Sequence, residues 1–160
     1  MAGYIGNRAV NLSTSGADIS GTANLDAVDI DGNLDVNGGT IKLDGNYPVG
    51  TANVALGNNA LSSATSANDS IAVGDNALLN NTSGSDNTAV GTSAMKENTT
   101  GSNNSAYGVL ALDDNTTGAS NVGVGHSALR LNTTASNNTA VGYQAAYTNT
   151  TGTENQAFGH

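Results

Sequence analysis

Two histidines, His126 and His160, are the only imidazoles in the chain, and they occupy equivalent places in a repeated pattern, two repeats apart. Imidazoles gathered around an axis shared by several chains would bind a transition metal. Their counterparts in the other repeats are Asn58, Asp75, Thr92, Val109 and Tyr143, which share no ligand chemistry. The pattern therefore predicts surface histidines rather than a metal centre. A second concentration of donors, Asp26, Asp29, Asp31 and Asp35, sets carboxylates around Gly32 and Asn33. Oxygen ligands this close together suit calcium. The Gly and Glu placement of an EF-hand loop is missing, however, and a solvated acidic strand face accounts for the run. There is no Cys to act as nucleophile, thiolate ligand or disulfide partner. Phosphate loops and dinucleotide fingerprints are not found. The residues thus predict no catalytic set, no cofactor and no metal, and the expectation is that the protein is not an enzyme.

Hydroxyls and amides supply the remaining chemistry. Thr65, Thr82, Thr99, Thr116, Thr133 and Thr150 recur at one place in the pattern. A flat array of such hydroxyls is one way to bind ice, which gives one alternative function, an ice-binding β-solenoid. Here they fall in a segment rich in Asn and Gly, which need not be flat. Asn-x-Thr sequons such as those at Asn98 and Asn115 come from the same repetition, and without a secretory signal they need carry no glycan.

What must position all of these residues is a 17-residue unit that runs from Asn53 to His160. Its glycines, Gly57, Gly74, Gly91, Gly108, Gly125, Gly142 and Gly159, stand 17 residues apart without exception. A fixed period of this length marks a repeat architecture in which each unit stacks on the next. Counting from Asn53 as position one, position three is Ala, or Gly at Gly123, and position eight is Ala in every complete unit. Small residues there keep neighbouring layers close. Position four holds Leu56, Val73, Val90, Tyr107, Val124, Val141 and Phe158; position nine holds Leu61, Leu78, Met95, Leu112 and Leu129, then Ala146. These residues, Val73, Val90, Val124 and Val141 with Leu61, Leu78, Leu112 and Leu129, are expected to fill a narrow core. The glycine at position five is expected at a corner in a backbone conformation that a side chain resists. Asn-Thr-Thr at positions twelve to fourteen is expected to make the return turn, with equivalent Asn and Thr bonded from coil to coil. Tyr143–Tyr147 and Ser93–Glu97 are decent helix formers, so the second arm reads as either strand or helical turn.

Before the repeats, Met1–Gly16 carries Tyr4, Ile5, Val10 and Leu12 on a polar background, which reads as a mobile terminus or an anchoring peptide that orders against a partner. Residues 17–50 alternate. The pairs Val28 and Ile30, Leu34 and Val36, and Ile41 and Leu43 are separated by Gly-containing turns and read as three short strands with one apolar face. Strands so short need a partner surface. Pro48 marks the junction to the repeats.

Composition narrows the partners. The chain has one Phe, no Trp and five Tyr, so no deep core can form, yet the strict register argues against disorder. A coil of Ala and Val barely offsets the entropy of ordering its residues, and close association of several chains around one axis would help most. Four basic residues against thirteen acidic ones argue against nucleic acid and against anionic membranes. Neither an apolar signal-peptide run nor a membrane-length segment is found, so the expectation is no membrane insertion.

At Asn-Thr-Ala-Val-Gly-x-x-Ala-Leu-x-x-Asn-Thr-Thr-Gly-Ser-Asn, as in residues 87–103, 104–120 and 138–154, the chain resembles the head repeats of trimeric autotransporter adhesins. It resembles more closely related repeats of bacteriophage tail fibres, over residues 53–160. The resemblance implies an all-β fold, a left-handed parallel β-roll wound as a homotrimer, and a role in host attachment. It implies a virion location, with the N-terminal region held by a tail, baseplate or nozzle protein and a distal region meeting the host receptor. A bacterial surface adhesin, extracellular or at the cell surface, is the other reading. The autotransporter kind requires a signal peptide and a membrane anchor, and neither is read in this sequence. The expected organisation is an anchoring peptide at 1–16, a short-strand region with its linker at 17–50 and a repeat shaft at 53–160.

Overall fold

The structure is a computed structural model, and it describes residues 52–159. The anchoring residues Tyr4, Ile5, Val10 and Leu12, the short strands expected before Pro48, the aspartates from Asp26 to Asp35, and His160 lie outside the described residues.

Within 52–159 the chain is a parallel β-solenoid in which each 17-residue unit makes one coil. Seven three-residue strands form one sheet in sequence order: β1 (Val54–Leu56), β2 (Ile71–Val73), β3 (Thr88–Val90), β4 (Ser105–Tyr107), β5 (Val122–Val124), β6 (Thr139–Val141) and β7 (Gln156–Phe158). All pairings are parallel and join residues one repeat apart, such as Ala72 with Ala89 and Ala89 with Ala106. The second arm is neither strand nor helix. It is a run of turns in which the amide of position eight donates to the position-five carbonyl, as Ala94 does to Gly91, and that of position twelve to position nine, as Asn98 does to Met95. Between those bonds, alternate amides reach the next coil, with Met95 donating to Ala111 and Glu97 to Asp113.

The core lies between the two arms and is one side chain deep. Position three from the strand and positions eight and nine from the turns fill it: Ala89, Ala94 and Met95 in one coil, Ala106, Ala111 and Leu112 in the next, all with no exposure. Leu61, Leu78, Leu112 and Leu129 are buried as expected. The valines at position four are not. Val73, Val90 and Val124 are only half-buried, and Val141 is exposed. The reason is the pleat. Successive strand side chains point to opposite faces, so a buried alanine at position three turns positions two and four outward.

Four backbone corners per coil make the winding possible. Gly91 has φ of 136°, and a Cβ built on it would lie 2.5 Å from the carbonyl oxygen of Gly108 in the next coil. Positions seven, nine and seventeen are left-handed as well, with φ between 50° and 60°. Asn59, Asn76, Asn103 and Asn137 suit that conformation. The position-nine leucines do not: a left-handed backbone costs about 1–2 kcal/mol for a side chain with a Cβ. Complete burial of a Leu returns about 1.5–3 kcal/mol, so packing prevails over local preference.

Two substitutions separate these effects. Gly91→Ala should lower stability by about 3 kcal/mol, through strain and a backbone clash that no rotamer relieves. Leu110→Asn, at a half-buried position seven with φ of 58°, should raise it by up to about 1 kcal/mol. Urea unfolding followed by circular dichroism measures both, and equal effects would contradict the corner assignment.

Candidate functional site

The most highly organised polar feature is internal. Two columns of asparagine run along the solenoid. At position twelve, Asn98 Nδ2 donates to Asn81 Oδ1 at 2.7 Å, Asn115 to Asn98 at 2.8 Å, Asn132 to Asn115 at 2.8 Å and Asn149 to Asn132 at 3.3 Å. Each of these amides also donates to the carbonyl three residues on, as Asn98 does to Gly101 at 2.9 Å. At position one, Asn87 Nδ2 reaches the same Gly101 carbonyl at 2.7 Å, joining the start of the coil to its end. Its Oδ1 accepts the backbone amide of Asn104 at 3.0 Å. Asn81, Asn98, Asn115 and Asn132 are completely buried, so the sequons beginning at Asn98 and Asn115 have their amide nitrogens inside the protein. The position-one clamp and the glycine at position fifteen are not among the sequence expectations. The signal was the conjunction of Asn at positions one and twelve with Gly at Gly84, Gly101 and Gly118, where a Cβ would strike both the next coil and the position-twelve amide.

The threonines expected as a hydroxyl array are turned into the structure. Thr65, Thr82, Thr99, Thr116 and Thr133 each donate their hydroxyl to the carbonyl of the equivalent Thr in the next coil, at 2.9–3.2 Å. His126 is exposed, and among the described residues no cluster of metal ligands includes it. Its ring stacks on Tyr143 with centroids 5.5 Å apart, and its Nδ1 lies 3.0 Å from Ser127 Oγ.

One charged network crosses the second arm at position ten. Asp113 is almost wholly buried, and its Oδ2 lies 3.5 Å from Arg130 Nε, an ion-pair distance without a hydrogen bond. Arg130 Nη1 donates to the Tyr147 hydroxyl at 3.2 Å. Burial pushes the Asp113 carboxyl above the ordinary carboxylate range, helped by Asp114 and opposed by Arg130 and Lys96. Glu97 is shifted the other way, chiefly by its hydrogen bond from Lys96.

The outward strand face is a candidate for contact with other molecules. Positions two and four of β1–β7 form two rows that carry no charged residue in a chain of net charge −9. In the position-four row Leu56 is 47% exposed, Tyr107 45%, Val141 37% and Phe158 73%. Comparison with protein-family models, curated proteins and solved structures returns no match.

Two measurements test the internal network. Asn98→Ala removes one hydrogen-bond partner each from Asn81, Gly101 and Asn115 and should cost about 2–4 kcal/mol, whereas the exposed Thr100→Ala should change little. A folded-state pKa raised above the unfolded one stabilises the fold below the unfolded value and loses that contribution as pH rises through the folded one. Asp113→Asn should therefore raise Tm at pH 7, with the gain vanishing as pH falls below about 3.9. A Tm gain that persists at low pH would show that burial of the charge is not its cause.

Proposed function

We propose that this chain is a shaft segment of a structural fibre, a homotrimer whose N-terminal region is held by a phage tail protein and whose coils project toward the host. The observation that carries the reading is the outward strand face. Like net charge disfavours contact between copies elsewhere, and the rows at positions two and four are uncharged for all seven strands. The position-four row, from Leu56 to Phe158, is apolar throughout, and an exposed apolar row supports a protein contact site.

The thin core supports the same reading. A coil buries little more than small alanines with at most one Leu or Met and a column of asparagines, so a second layer of burial on the outer face would add to what a single chain holds. Seven strands spaced about 4.8 Å apart extend roughly 29 Å, a rigid spacer rather than a pocket. Left-handed winding and the trimeric state come from the resemblance to fibre and adhesin repeats. Receptor binding then belongs to a distal region and attachment to residues 1–16.

Light scattering on the full chain should give a mass near three protomers, persisting to low micromolar concentration. A monodisperse single-chain mass would overturn the proposal. Placing Asp on the face at Val90 should lower the mass toward one chain while leaving the circular dichroism spectrum of the solenoid in place.

A further inference from the structure

A repeat that associates through a uniform face has a register problem. If every position-four residue were Val, copies could slide by one coil, about 4.8 Å, and exchange identical contacts for identical contacts. Specificity then requires a residue that breaks the repetition. Between the ends of the sheet the row reads Val73, Val90, Tyr107, Val124 and Val141. Tyr107 pairs in register with Val90 on one side and Val124 on the other. Its ring stands out from the valine row, 45% exposed. Its strand neighbour on the same outward face is the small Ser105, which leaves room beside the ring.

We propose that Tyr107 sets the axial register in which copies of this chain meet along the position-four row. The inference rests on the fibre reading above, and its partner is a second copy of the same chain. With the copies level, the Tyr107 rings share one layer and valines meet valines above and below. A slip of one coil sets each ring against a neighbour's Val, leaving a gap in one layer and crowding in the next. The alternative, in which the chain ends alone hold the register, makes Tyr107 replaceable by the Val found in neighbouring coils.

The chain has no native Cys, so one introduced cysteine reports the register cleanly. In the full chain, Val73→Cys places a thiol in the same row, two coils from Tyr107. A disulfide needs Cα atoms within about 7 Å, so level copies cross-link on oxidation and a one-coil slip of about 4.8 Å carries most pairs out of range. The expected result is efficient cross-linking with Tyr107 present, at least a threefold loss of yield with Tyr107→Val, and recovery with Tyr107→Phe. The multichain mass should be the same for all three. Undiminished cross-linking in Tyr107→Val, or none in any background despite a multichain mass, would overturn this inference and leave the fibre reading standing. A single-chain mass for the unsubstituted protein would remove the fibre reading itself.

Discussion

The structure depends on closing each coil with buried side-chain amides. A solenoid of short strands and turns leaves backbone carbonyls inside, where each unpaired group costs about 1–3 kcal/mol. The position-fifteen carbonyl is such a group, and at Gly101, Gly118 and Ala135 it receives amides from both position one and position twelve. The asparagines also bond one another from coil to coil, so Asn87 and Asn98 serve both closure and stacking. Apolar residues of similar size at both places would fill the same volume and leave the carbonyl unpaired.

From that constraint the other features follow. Amide columns hold successive coils at strand spacing, so the corner glycines at position five sit against the next coil with no room for a Cβ. Close stacking limits the apolar core to Ala with at most one Leu or Met per coil. The strand is only three residues long, and its single inward position is taken by Ala, or by Gly123 in β5, so the larger apolar side chains of that strand face away. The property that makes the coil compact also puts an apolar row at position four on its outer face.

Charge is distributed in keeping with this. Among the described residues the acidic ones lie at corners and turns, and the one buried carboxylate there, that of Asp113, answers to an arginine one coil away. The outward strand rows hold none. Among the described residues, these uncharged rows are the part of the strand face on which like-charge repulsion is least.

The sequence by itself determined the period, the coil and the depth of the leucine at position nine, which follow from the 17-residue spacing at Gly57 through Gly159. The parallel architecture was legible only through the resemblance to fibre and adhesin repeats, and the structure has it. The ladder of Asn at position twelve was legible too, because identical polar residues stacked in register must meet one another. What only the tertiary structure decided was direction and closure. Val73, Val90 and Val124 face outward because a small residue, Ala72, Ala89 or Gly123, holds the inward place in the strand, and hydrophobicity carries no direction until that place is assigned. The second arm became neither strand nor helix because its amides alternate between their own turn and the next coil. The clamp from Asn87 to Gly101 spans 14 residues, and although both recur at fixed places in the repeat, only the wound coil brings the two ends together. Closure is a property of the wound chain, and it appears only when the coil returns to its start.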